Sequence, residues 1–163
     1  MPARIHQLNV SQGGVPKRTV EAADVGPLGL AGDAQSDTQH HGGPLRAVCI
    51  YSLELIERLR AEGHPIFPGA LGENITIAGL DWPAVVPGSR LVFDRGAEVE
   101  VATYTKSCSG IRNAFTDLKF NRIWQDQHPG WSRVCCRVIR SGQLACGEGV
   151  RLIAAPIRTT YTG

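Results

Sequence analysis

The sequence predicts a mainly β, α+β fold, a barrel of short strands with a few peripheral helices. Three observations carry that prediction. Short strand-like runs recur between glycine turns, as in RLVF (90–93), VEVATYT (99–105) and VRLIAA (150–155). The 163 residues include 19 glycines and 10 prolines, which favours many turns over long helices. One stretch alone, SLELIERLRAE (52–62), sustains a clear helical pattern. Several short strands on glycine turns favour a barrel over a doubly wound sheet, and neither a Rossmann fingerprint nor a GxxxxGK phosphate loop is present.

Taken in order, residues 3–10 read as an opening strand, followed by the turn SQGGV and a short strand over 19–22. In SQGGVPKR, glycines that allow close backbone approach stand beside Lys17 and Arg18, so the segment reads as either an anion-binding turn or a solvent-facing one. Residues 26–43, GPLGLAGDAQSDTQHHGG, read as a polar loop. Asp33, Asp37, His40 and His41 are metal-ligand types, but their spacing matches no common zinc pattern; a loop folded over a pocket accounts better for the composition. RAVCIY (46–51) reads as a buried strand. The helix over 52–62 has Ser52 to cap its first turn, Ile56 and Leu59 with Leu53 or Leu55 on an apolar face, Glu54 and Arg58 as an exposed pair, and Gly63 to end it.

Beyond the helix, Pro68, Gly69 and Gly72 build a turn before Glu73, Asn74 and a short ITI strand. DRGAE reverses the chain between the RLVF and VEVATYT strands. IRNAFTDLKFNRIW mixes helical spacing with breaks; Trp124 and Trp131 are placed at a pocket mouth, while His128, beside Pro129, reads as a surface or packing residue. RVCCRVIR (133–140) reads as a core strand, joined through the turn SGQLACGEG to VRLIAA, with IRTTYTG as a loosely attached tail.

The bulk numbers bound function. The length supports one substantial core and the reading is a single domain over 1–163, with its core at about residues 4–155. A net charge of +2 from 17 basic and 15 acidic side chains, without an aromatic-basic stripe, argues against nucleic acid. No apolar run is long enough for a signal peptide or a membrane span, so the expectation is a cytoplasmic protein with no membrane partner. The five cysteines, Cys49, Cys108, Cys135, Cys136 and Cys146, are odd in number and lack CxxC spacing, which favours reduced thiols. Adjacent Cys135 and Cys136 on a strand point to opposite faces and make poor partners for one another.

The working centre is placed in TYTKSCSGIR (103–112), at the end of a strand. A thiol between Lys106 and Arg112 sits in a positive field that favours the thiolate, so Cys108 is the candidate nucleophile or metal ligand. The competing reading is a small buried hydrophobe.

GGVPKR, GLAGD, HHGGPLRAVCIYSLE, PGALGENITI, VPGSRL and YTKSCSGI, in this order and spacing, resemble the MOSC domain, named after the C-terminal domain of molybdenum cofactor sulfurase. The resemblance runs over about residues 4–155 and implies a β-barrel like that of pyruvate kinase, without the sulfurase's aminotransferase-like domain. It implies the molybdenum cofactor (molybdopterin), and no pyridoxal phosphate bound covalently by this chain. In cofactor-binding relatives the cysteine of a YTKPC-like phrase handles the cofactor or sulfur; that position is Cys108, with Ser107 in place of proline and Gly147-Glu148 in place of a common Gly-Asp turn. The resemblance also makes Lys17, Asp33, Gly42, Gly43, Arg46, Glu73 and Asn74, beside Lys106 and Arg112, cofactor-binding candidates. In that reading Lys17 and Arg46 hold the pterin phosphate, Asn74 meets a pterin edge, and His41 positions substrate or moves a proton.

Three functions follow as alternatives. One is a reductase of N-hydroxylated compounds with Cys108 on molybdenum, fed by an electron-donor redox protein. The second is a sulfur carrier that takes persulfide sulfur onto Cys108 from a separate cysteine desulfurase. The third is a cofactor carrier or sensor without turnover.

Overall fold

In a computed structural model the described residues are 2–34, 43–106 and 109–157. Eleven strands are named in chain order: β1 (Arg4–Val10), β2 (Arg18–Val20), β3 (Ala22–Gly26), β4 (Gly29–Leu30), β5 (Val48–Ser52), β6 (Ile75–Ala78), β7 (Arg90–Phe93), β8 (Glu98–Tyr104), β9 (Val134–Arg140), β10 (Gly142–Ala145) and β11 (Val150–Ile153). The helix α1 (Leu53–Ala61) follows β5 directly, and short 3-10 helices occupy Pro44–Arg46, Trp82–Ala84, Ser109–Ala114 and Phe120–Ile123.

An eight-stranded mixed sheet has the order β11-β7-β8-β9-β5-β6-β1-β2, and a three-stranded sheet has the order β10-β3-β4. Among the described residues only β5 and β6 pair in parallel, and α1 lies in the connection between them, as a parallel crossover requires. The large sheet curls so that β1 comes against the start of β11. Arg4 bridges Gly149, Ile5 N–H donates to Glu148 O at 2.9 Å, and Val150 N–H donates to Ala3 O at 3.0 Å. The barrel-like curl encloses a core that includes Ile5, Leu8, Ile50, Ile75, Ile77, Leu91, Val99, Val101 and Val134. Their alternation with more exposed neighbours on β7 and β8 is the period-two pattern of half-buried strands.

The helix forms as its sequence dictates: the Ser52 hydroxyl accepts from Leu55 N–H at 3.3 Å, while Leu55, Ile56 and Leu59 are buried. Glu54 is used otherwise than expected. Its carboxylate accepts from Gly79 N–H at 2.6 Å and from the Ser52 hydroxyl at 3.1 Å, tying the helix start to the end of β6, and Arg58 lies 5.9 Å from the Trp131 ring centre. Two further expectations are corrected. The segment 19–22 is divided at Glu21 into β2, on the large sheet, and β3, on the small one. The presumed turn 141–149 contains β10, which pairs with β3 from Gly142↔Val25 to Ala145↔Ala22. Among the described residues no helix is long and apolar enough to cross a membrane.

Candidate functional site

Lys17, Asp33, Glu73 and Asn74 gather where β1 and β8 end, β5, β6 and β9 begin, and the loops 11–17 and 67–74 meet. Two polar groups stand side by side there.

The first is centred on Asp33. Lys17 Nζ lies 2.5 Å from Asp33 Oδ1, and each of the two side chains is 6% exposed. Ser11 N–H donates to the same oxygen at 3.0 Å, and Asn74 Nδ2 donates to Asp33 Oδ2 at 2.9 Å. Asn74 also donates to Asn9 O at 3.3 Å and accepts Cys49 N–H on its Oδ1 at 3.0 Å. This side chain therefore fastens β1, β5 and the 26–34 loop together. A buried ion pair is tolerable only when its remaining lone pairs and protons are also satisfied, which the Ser11 and Asn74 contacts accomplish for Asp33.

Glu73 lies beneath this group and is fully buried. Its Oε1 accepts from Gly69 N–H and from the Thr76 hydroxyl, the latter at 3.3 Å, and its Oε2 has no hydrogen-bond partner. Burial pushes the Glu73 carboxyl above the ordinary carboxylate value, against the Gly69 bond and the Arg133 charge. The 67–74 turn is held tightly to the Lys17 segment: Lys17 N–H donates to Gly69 O at 2.9 Å. Gly69 has φ +91°, and a Cβ there would stand 2.6 Å from Lys17 O, so glycine is required by both angle and space.

The second group is built of thiols. Cys49 on β5 pairs directly with Cys135 on β9. Thr105, just past β8, bridges them, with its hydroxyl 3.1 Å from Cys135 Sγ and 3.8 Å from Cys49 Sγ. Arg133 precedes β9, is 6% exposed, and donates through Nη1 to Leu71 O. Hydrogen bonding from Cys49 holds the Cys135 thiol down, to about 6, assisted by Thr105 and the charges of Arg133 and Arg46 and opposed by burial. Cys49 is pushed up, first by its bond to Cys135 and then by burial. The pair therefore supports one thiolate beside one thiol, and the shorter Thr105 contact agrees with Cys135 as the thiolate.

Of the remaining candidates, Gly43 caps the Pro44–Arg46 turn with φ +84° and Arg46 is exposed on that turn. Lys106 is exposed, with Nζ 5.1 Å from the Trp124 ring centre. It borders a cleft of about 220 Å³ lined by Thr103–Lys106 and Trp124–Asp126. Arg112 is exposed on the 109–114 turn, and none of the contacts described above involves it. His41, Gly42, Ser107 and Cys108, like Asp37 and His40, lie outside the described residues. Trp124 lines the cleft as expected, while Trp131 lies elsewhere, its carbonyl accepting from the buried Tyr51 hydroxyl at 2.7 Å and its ring lying 3.9 Å from the Arg122 guanidinium. Among the described residues no group of three or more His, Cys, Asp or Glu side chains is arranged to hold a metal ion.

Sequence reasoning brought Lys17, Asp33, Asn74 and Glu73 to one place and missed Arg133, Thr105 and the Cys49–Cys135 pair. The available signals were a cation opening the otherwise apolar run RVCC and a cysteine inside the buried strand RAVCIY.

Comparison with known proteins agrees with this architecture. The chain is 30% identical over 126 residues to the Bacillus subtilis protein YflK, covering 76% of this chain; it spans 55% of the length of that relative. The structure superposes on YuaD from Bacillus subtilis with a TM-score of 0.73 at 19% identity, covering 96% of this chain and 98% of the other. Against YiiM from Geobacillus stearothermophilus the TM-score is 0.71 at 25% identity, covering 93% and 75%. The MOSC domain family matches residues 37–151, and with the curled mixed sheet and the relatives in agreement, the chain belongs to the MOSC domain family.

Proposed function

We propose that this protein binds the molybdenum cofactor through Cys108 and reduces N-hydroxylated compounds, with electrons supplied by a separate redox protein. The observation that carries the reading is the exposed cationic rim. β8 leads to Lys106, two residues before Cys108 in sequence, beside the cleft of about 220 Å³, and Arg46 is exposed on the turn that Gly43 opens. An anionic pterin phosphate fits such a rim, because Arg and Lys give it charge-assisted hydrogen bonds. The Asp33 group has a different part in this reading. Asp33 meets both Lys17 and Asn74 at hydrogen-bond distance, so the three brace the segment at Asp33 against the 11–17 turn and the start of β6. Glu73 is fully buried and holds the 67–74 turn through its bond from Gly69 N–H.

The cofactor, when bound, supplies the redox chemistry, exchanging two electrons and an oxygen atom with the substrate. The chain's residues do the rest. Arg46 and Lys106 would bind and orient the anionic end, Cys108 would hold the metal through its sulfur, and Trp124 with Lys106 lines the cleft of about 220 Å³. His41 is the group in this reading that delivers a proton, since its ordinary titration range spans neutrality.

The test is expression in cells competent in molybdenum cofactor synthesis, followed by metal analysis and reduction of an N-hydroxylated amidine with a chemical electron donor. The expected result is about one molybdenum per chain and amidine formed in step with donor consumed. A folded, cofactor-free protein from such cells would overturn the reading and favour sulfur transfer by Cys108.

A further inference from the structure

A second place for chemistry lies in the thiol group, and it does not depend on the molybdenum reading. Both backbone groups of Cys49 are turned toward Asn74: its N–H donates to Asn74 Oδ1 at 3.0 Å and its carbonyl accepts from Asn74 N–H at 2.7 Å. Neither is therefore directed at β9. Cys49↔Cys135 is consequently a non-hydrogen-bonded pair of the antiparallel ladder, the kind in which the Cα atoms approach to about 4.5 Å and side chains stand closest. That separation falls within the range a disulfide spans, roughly 4.4–6.8 Å. Both sulfurs already converge on one hydroxyl, that of Thr105.

Access and charge point the same way. Cys49 is partly exposed and Cys135 is 8% exposed, whereas Cys136, next in the chain, faces the core at 0%. Cations bear on the pair from both flanks, Arg133 from the start of β9 and Arg46 from the turn before β5; Glu73 is the acidic group that bears on Cys49. Lys106, next to Thr105 in the chain, is exposed and adds positive charge on that side.

We propose that Cys135 and Cys49 form a dithiol site that reduces the disulfide of a small anionic thiol, with Cys135 as the attacking sulfur and Cys49 as the resolving one. In the first step Cys135 thiolate attacks one sulfur of RS–SR. A Cys135–S bond forms, the substrate S–S bond breaks, and RS⁻ leaves. In the second step Cys49 gives its proton to solvent and attacks Cys135 Sγ, closing the protein disulfide and expelling the second RS⁻. Two protons return to the released thiolates. The protein loses two electrons and the substrate gains them, and excess RSH reverses both steps. Thr105 is a positioning residue that donates its hydroxyl to the attacking sulfur.

The experiment uses the full chain carrying Cys108→Ala, incubated without oxygen in buffered mixtures of glutathione and glutathione disulfide, and read by intact mass and peptide mapping. The expected result is a mass lowered by two hydrogens and a cross-linked peptide joining Cys49 to Cys135. With Cys49→Ser added, the reaction stops at a glutathione adduct on Cys135. With Cys135→Ser added instead, exchange at pH 6 slows about tenfold, the balance between a larger thiolate fraction and a weaker nucleophile. A pair that stays fully alkylatable in glutathione disulfide alone, or adducts spread evenly over Cys136 and Cys146, would overturn the proposal. Mapping of the Cys108→Ala chain decides the matter even if a serine variant fails to fold. Molybdenum content plays no part in the readout, so this proposal and the cofactor reading can fail separately.

Discussion

The group around Asp33 and the group around Thr105 touch through Asn74 and Cys49, yet they are assembled on opposite terms. Around Asp33 the partners of each carboxylate oxygen are protein donors, and the ion pair is almost entirely shielded from water. Around Thr105 two sulfurs meet one hydroxyl, one thiol is held down, and the charges of buried Arg133 and exposed Arg46 bear on it. Internal satisfaction makes a brace. A lowered thiol next to a partly exposed one, in a positive field, makes a reactive site.

The sharpest way to break that comparison is to cut the brace. Asp33→Ala leaves Lys17 as an uncompensated buried charge, and the expected loss of unfolding free energy is about 3–5 kcal/mol, measured by urea denaturation. If the loss is negligible, the Asp33 group is not a brace. Gly69→Ala comes next. Its Cβ would meet Lys17 O at a left-handed backbone angle, for an expected cost of about 2 kcal/mol in the same assay.

A smaller, pH-dependent effect distinguishes the buried acid beneath the brace. The folded-state pKa of Glu73 is raised, so the folded protein holds that proton more tightly than the unfolded chain. Stability contributed there is present below the unfolded value of 4.5 and is lost as pH rises through the folded value. Glu73→Gln should flatten this downward slope relative to wild type. Glu62 provides the opposite sign: its bond to Arg122 lowers its pKa, so its contribution is present above the unfolded value and is lost as pH falls through the folded one. Parallel slopes for wild type and Glu73→Gln would refute the assignment to Glu73. The smallest expected stability change is on the rim, where Lys106→Ala should shift unfolding by no more than about 0.5 kcal/mol while weakening retention of an anionic ligand.

The two regions also differ in how far they could be read from sequence. The helix at 53–61 and the strands at 90–93 and 98–104 carry their signals locally, in a serine cap, a 3.6-residue apolar stripe and a period-two alternation. Lys17, Asp33 and Asn74 were legible as a set through family resemblance, and the structure brings them within hydrogen-bond reach of one another. The Cys49–Cys135 pair was not legible, because it depends on the register of two strands distant in sequence. Strand β10 was hidden for a related reason: GQLA lies between glycines and looks like a turn until β3 supplies its ladder partner. Glu54 was misassigned to Arg58 because helical spacing does not anticipate the Gly79 N–H at the end of β6.

The measurement closest to the central claim is molybdenum per chain, determined beside the urea midpoint, for wild type and Cys108→Ala from cells that make the cofactor. The account predicts about one metal per wild-type chain, lost from the variant while its midpoint stays within experimental error of wild type. Molybdenum retained by a folded Cys108→Ala protein would contradict it.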